Sequence, residues 1–192
     1  MSIEQKPDSF FSSSELELLR TKSSLRGVLM VAHCWGVIFC TWLIVANWTN
    51  PLTVLVGIMV IGTRQLGLFV LAHEAAHFNL SSNRKLNDWL MQWPLNRVLL
   101  GGTGKGYRKY HVDHHAFTQQ ENDPDLVLSK PFPIPAKSLT RKILRDLMGR
   151  TGMKLYGATI REAFSGENFS ERFKAGLRRL GPNLIINLGF FV

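Results

Sequence analysis

Two long apolar runs, joined by a turn of only a few residues, constrain this chain more than any other feature. VLMVAHCWGVIFCTWLIVANW fills residues 28–48 and PLTVLVGIMVIGTRQLGLFVLA fills residues 51–72. The first holds no formally charged residue when His33 is neutral. A helix of about 20 such residues crosses a hydrocarbon core of about 30 Å. NWTNP at 47–51 reads as a tight turn, and Trp42 and Trp48 suit the membrane interface. The mean hydropathy of +0.01 conceals this, because apolar and basic residues occupy separate blocks. The pattern predicts a transmembrane helical hairpin (28–72) in an all-α integral membrane protein.

Charge sets the expected orientation. Lys22 and Arg26 precede the first run, the turn carries no Lys or Arg, and Arg84, Lys85 and Arg97 follow the second. The positive-inside rule then places the N-terminus and the residues after the hairpin in the cytoplasm. The net charge is +9, and about half of the 23 Lys and Arg residues fall between Ser129 and Arg179. Such basic stretches suit anionic lipid. Nucleic acid is not an expected partner, since no recognised binding motif or basic-aromatic stripe accompanies the charge. KSLTRKILRDLMGR at 137–150 spaces Leu and Ile helically among Arg and Lys, as surface-bound helices do.

The remaining segments are shorter. Residues 1–27 form a polar, mixed-charge segment without the apolar core of a signal peptide, and SSSELELLR (12–20) reads as a short helix capped by Ser14 or a neighbouring Ser. Residues 73–126 are expected to form a cytoplasmic region. Within it, 86–102 is apolar, short and broken by Pro94, which suits an interfacial helix, and GTGKGYRKY (102–110) reads as a Gly-rich, basic connector. Residues 127–182 form a basic region on the membrane surface. PNLIINLGFFV opens another apolar run, so 183–192 reads as the start of a third transmembrane helix in a chain cut there. Cys34 and Cys40 are expected to be small buried residues rather than a disulfide, because six apart on a helix they point in different directions. Arg64 interrupts the second run. It is a candidate contact to substrate, lipid head group or carboxylate, or it marks where the membrane ends near Thr63.

Five of the six histidines stand in two groups, HEAAH with His73 and His77, and HVDHH with His111, His114 and His115. On a helix, positions i and i+4 differ by about 40° around the axis, and i+3 lies near the same face. Each group therefore offers adjacent imidazoles, and neutral imidazole is a ligand for iron, zinc, copper and nickel alike. His33, alone in the first run, is expected to pack or hydrogen-bond. HEAAH also satisfies the H-E-x-x-H template of zinc peptidases, with Glu74 as general base. One tetrahedral zinc, however, leaves HVDHH without a role. Five histidines in two boxes point instead to two metal ions.

H-x-x-x-H after a membrane hairpin, with H-x-x-H-H beginning 34 residues after His77, resembles the membrane fatty acid desaturase superfamily. RQLGLFVLAHEAAH, NRKLNDWL, YRKYHVDHH and ENDPDL are similar to bacterial members, and the resemblance is strongest over residues 50–126. It implies a non-haem di-iron oxygenase with four membrane helices beneath a cytoplasmic cap. His73 and His77 correspond to the first box, and His111, His114 and His115 to the second. No residue here matches a third box, so this chain alone is not expected to hold a competent di-iron centre.

The resemblance further implies iron as cofactor and O2 as co-substrate. Electrons come from an external donor such as a ferredoxin or cytochrome b5-type protein, and hydrogen is removed from a lipid acyl chain. The three-residue gap of the first box resembles members acting on acyl groups of complex lipids. Glu74, Asp113, Asp123 and Asp125 are candidate carboxylates for orienting the imidazoles, although Asp123 and Asp125 also read as turn residues around Pro124. Other readings are a lipid or carotenoid hydroxylase or ketolase, an intramembrane zinc protease, and an inactive remnant.

Overall fold

The computed structural model describes residues 10–97 and 103–188, with residues 186 and 187 described by backbone alone. Every element among the described residues is helical. Helix α1 (Ser13–Arg20) starts where expected, with Ser12 as its N-cap and Glu15 reaching back to close a capping box. Helix α2 spans Ser24–Asn47 and α3 spans Pro51–Ala76. Asn50 caps α3 by accepting from the N–H groups of Leu52 and Thr53, and Pro51 takes the first helical position, where a missing N–H costs nothing. Both helices are long and apolar enough to cross a membrane. Their outward faces carry Leu29, Leu43, Ile58 and Met59, all exposed, a distribution that suits hydrocarbon better than water. Cys34 is buried as expected, but Cys40 lies on this exposed face because six residues turn a helix away from the packed side.

The core gathers at one end of the hairpin. Leu68, Leu71, Ala72, Ala75 and Ala76 of α3 pack with Val31 and Cys34 of α2, with Leu80, and with Leu90, Met91 and Leu95. The last three belong to α4 (Arg84–Leu90) and to the π-helix that continues it (Met91–Arg97). The alanines let backbones approach closely, as small residues do between membrane helices. Gly27 of α2 takes this furthest: a Cβ there would stand 1.8 Å from the Leu80 carbonyl oxygen. Pro94 sits inside the π-helix, and its carbonyl accepts from Trp35 Nε1 of α2 at 3.2 Å. The expected interfacial helix is thus α4 with its π continuation, tied to the hairpin; its end, 98–102, lies outside the described residues.

The Gly-rich segment expected as a connector is helical from Gly104, the first residue of α5 (Gly104–Phe117). Thr103 caps α5 by accepting from Gly106 N–H, and the Gln92 side chain accepts from Gly104 N–H at 2.9 Å. A Cβ on Gly104 would lie 3.2 Å from Met91 Cγ. The glycine therefore serves close packing of α5 on the π-helix, not loop flexibility.

Beyond the one-turn α6 (Leu126–Ser129) come α7 (Ala136–Leu147), α8 (Arg150–Ala163) and α9 (Phe169–Leu188). Gly149, at φ 70°, supplies the left-handed residue between α7 and α8. No residue of α7 is buried. The apolar run expected to begin a helix at Pro182 is the last part of α9, with Pro182 inside it; 189–192 lie outside the described residues.

Candidate metal centre

Helix α3 carries His73 in its last turn and ends on His77, which caps it. Phe78 follows at φ 59°, the left-handed conformation that lets Asn79 N–H reach back to the Glu74 carbonyl at 2.9 Å. That turn is held from α5. The Arg108 guanidinium donates to the carbonyls of Ala75 and Ala76, each at 3.1 Å, and to Asp88 at 2.6 Å. It also lies over the Phe78 ring, 3.8 Å from the centroid. Buried Asn87 adds a 2.8 Å bond to the Ala75 carbonyl. The orphan carbonyls at the end of α3 are thus taken up by the helices that must pack against it.

This arrangement brings α5 across the end of α3 and joins the two histidine groups. His73, His77, His111 and His115 present ligand atoms that all lie within 4.8 Å of one another. Nε2 of His111 stands 2.8 Å from that of His77 and 3.1 Å from that of His115. Two nitrogens each about 2.1 Å from one ion are about 3.0 Å apart when the angle at the ion is near 90°, and about 3.4 Å apart at a tetrahedral angle. The observed spacing is close enough for the three imidazoles to share one ion. A single His111 lone pair cannot receive two N–H groups well, whereas one cation satisfies all three rings. The donor set therefore fits a metal ion.

Carboxylates orient two of the rings. His73 Nδ1–H donates to Glu74 at 3.0 Å, which leaves Nε2 of His73 for a metal. Asn79 donates to the other Glu74 oxygen at 3.3 Å, so this carboxylate is already engaged. His114 is turned out of the group of four: its Nδ1–H donates to buried Asp123 at 2.7 Å, with Asp125 3.6 Å away. Asp123 also accepts from the N–H groups of Gln119 and Asp125, so its turn and its histidine contact are one structure. Asp125 takes the Tyr110 hydroxyl at 2.5 Å. Asp113 pairs with Lys109 at 2.7 Å rather than with a histidine. Arg64 lies half-buried with its Nε 3.4 Å from the Thr63 hydroxyl, and His33 is exposed on α2.

The electrostatics favour neutral rings at His111 and His77. Burial, then the neighbouring His73, His115, His77 and His114, push His111 down to about 4. Burial and the same crowding lower His77. Neutral rings are the metal-binding form. His114 goes the other way, raised by its hydrogen bond to Asp123.

Residues 49–192 match the family model described as Fatty acid desaturase. The chain belongs to the fatty acid desaturase family. No solved structure matches it. The matched residues contain the cluster: His73 and His77 from the end of α3 meet His111 and His115 from α5 within residues 49–192. Three supports of this desaturase-family site escaped the sequence reading, namely Arg108, Asn87 and Tyr107. Tyr107 stacks on His111, with centroids 5.7 Å apart and planes 7° from parallel. The signal for Arg108 and Tyr107 was their spacing, three and four residues before His111, which puts them on the same side of α5.

Proposed function

We propose that this chain carries part of an O2-dependent acyl-lipid desaturase, with iron held by His73, His77, His111 and His115. The observation that carries the reading is the convergence of four imidazoles from two helices at one end of a membrane hairpin. His114 is the fifth ligand of the proposal. With Nδ1 committed to Asp123, its Nε2 is the donor for a second ion, which needs further ligands beyond these five. The N-terminus and both boxes face the cytoplasm, as the basic flanks of the hairpin favour.

Bound iron would supply O2 activation and removal of hydrogen from an unactivated C–H bond. The chain's own residues do the rest. Glu74 and Asp123 fix tautomer and ring direction for His73 and His114, and Arg108 locks the end of α3 against α5. Phe69 meets the Tyr107 ring edge-on at 5.8 Å, and Tyr107 stacks on His111, which sets an aromatic layer beside the site. Turning a CH2–CH2 unit into CH=CH while reducing O2 to two waters takes two electrons and two protons. A ferredoxin or cytochrome b5-type donor supplies the electrons. The bond between Asn79 and Glu74 favours an orienting role for Glu74 over a general base in a zinc protease.

Two measurements test this. Metal analysis after anaerobic loading should find iron, about two per chain in the complete assembly, and a single tightly held zinc would refute the reading. Lipids from cells expressing the protein should contain acyl chains two hydrogens lighter. Chains heavier by one oxygen would reassign it as a hydroxylase.

A further inference from the structure

Two cavities flank Tyr107 and Phe69, and they differ in chemistry. One, of about 700 Å³, is lined by Arg97, Arg178 and Arg179 together with Tyr107, Tyr110 and Thr159. The other, of about 300 Å³, is lined by Phe69, Leu155, Tyr156 and Gln65, and it shares Thr159 with the first. Gln65 and Phe69 lie on the membrane helix α3, so the apolar cavity borders the hairpin, whereas no α3 residue lines the basic one. Tyr107 touches Phe69 on one side and stacks on His111 on the other, which puts the junction one ring layer from the candidate metal centre.

The basic cavity has an unmet demand. Arg97 Nε is buried and has no hydrogen-bond partner among the described residues. Its guanidinium rests on the Trp93 ring, 5.8 Å from the centroid, which fixes it in place. Arg179 is anchored by donating to the Glu162 carbonyl at 2.8 Å. Among the described residues the lining holds one carboxylate, Glu162, against three guanidinium groups. Thr103 and Gly106, in the first turn of α5, complete the wall, and a helix N-terminus favours an anion. Guanidinium forks match phosphate and carboxylate oxygens.

We infer that these neighbouring cavities, which share Thr159 as a wall, together bind an acyl lipid with an anionic head, phosphate or carboxylate. The head sits against Arg97 and Arg178, and the chain runs past Thr159 and Tyr107 toward Phe69. The inference rests on the acyl-lipid reading above and narrows its substrate class to anionic lipids.

Binding to the metal-free, full-length chain in detergent, followed by native mass spectrometry, tests it without turnover. Dioleoyl phosphatidylglycerol should bind at least about tenfold more tightly than dioleoylglycerol. The double variant Arg97→Ala/Arg178→Ala should remove that preference while leaving dioleoylglycerol binding unchanged. Arg178→Ala alone, at an exposed position, keeps the test open should the Arg97 change impair folding; it should lose part of the preference. Equal binding of the two lipids by the unaltered chain, or an undiminished preference in the variants, overturns the inference. Glycerol 3-phosphate binding as tightly as the phospholipid overturns it too, by reducing the site to one for free phosphate. A chain that binds the anionic lipid selectively but desaturates nothing refutes the proposed reaction and leaves this inference standing.

Discussion

The two ends of the molecule are built on opposite plans. Where α3, α4, the π-helix and α5 meet, side chains tie one helix to the next: Arg108 to two carbonyls and a carboxylate, Asn87 to Ala75 and Gln92 to Gly104, while Glu74 holds His73. In α7 no side chain is buried, and its Leu and Ile residues stand exposed on a strongly basic helix. A metal site needs ligands held within fractions of an ångström, and a dense shell of committed partners provides that. An exposed apolar stripe on a basic helix suits contact with an anionic lipid surface.

The sharpest test of the contrast is His111→Ala, which removes the ring whose Nε2 faces both His77 and His115. Cobalt or ferrous titration should show metal binding falling by at least about a hundredfold, while the helical spectrum stays unchanged. Next in size is Gly27→Ala. With the Leu80 carbonyl 1.8 Å from the new methyl group, α2 must shift, at a cost of about 3 kcal/mol or more, read as a lowered unfolding midpoint in detergent. Arg108→Lys comes third. A lysine cannot serve both carbonyls and Asp88 in one plane, so about 2 kcal/mol should be lost together with some metal affinity. Loss of stability with metal affinity intact would mean that Arg108 merely packs.

The hairpin, its turn and the pairing of histidines within each box were legible in the sequence, because hydropathy and i,i+4 spacing are local properties. What joins the boxes was not. Arg108 reads as one more basic residue in YRKYH until the fold sets it beneath the end of α3. GTGKGY looks like a loop until Met91 and Gln92 are seen to demand the missing side chain at Gly104. Likewise Asp113 and Asp123 are equivalent candidates by spacing. Only the turn after α5 separates them, carrying Asp123 back to His114 while Asp113 stays with Lys109 one helical turn away. The apolar run PNLIINL is the last described part of α9, which had already started at Phe169, because a proline within a helix bends it without ending it.

Asp123→Asn probes the pair that stands between the rigid cluster and the looser half. Burial pushes the Asp123 carboxyl up, but hydrogen bonds from His114 and from the N–H groups of Gln119 and Asp125 outweigh it and leave the carboxyl below its ordinary value of 3.8. His114 is raised above its ordinary 6.5. The aspartate's contribution is therefore present above 3.8 and lost as pH falls through its lowered pKa. The histidine's contribution is complete below 6.5 and lost as pH rises through its raised one. The pair stabilises the metal-free fold most between those two values. In the asparagine variant the His114 titration, followed by NMR, should move down toward 6.5, and metal affinity should fall about 10- to 100-fold. An unmoved His114 midpoint would deny the pair any role in solution.

The smallest effect on stability should come from the other half. Leu147, at the end of α7, is 79 % exposed and contacts no buried core. Leu147→Glu removes apolar surface that the fold does not use, so unfolding in detergent should shift by less than about 0.5 kcal/mol. A carboxylate set into the stripe beside Leu144 and Ile143 does oppose an anionic bilayer, both by its charge and by the apolar contact it deletes. Attachment of a fluorescent label to α7 should therefore report shallower burial in vesicles of anionic lipid, with quenching by lipid-borne quenchers reduced. A variant as stable as the parent but shallower in the membrane is the behaviour of a surface whose partner is lipid. Marked destabilisation in detergent would instead mean that α7 packs against protein, and the division between a committed end and an uncommitted one would fail.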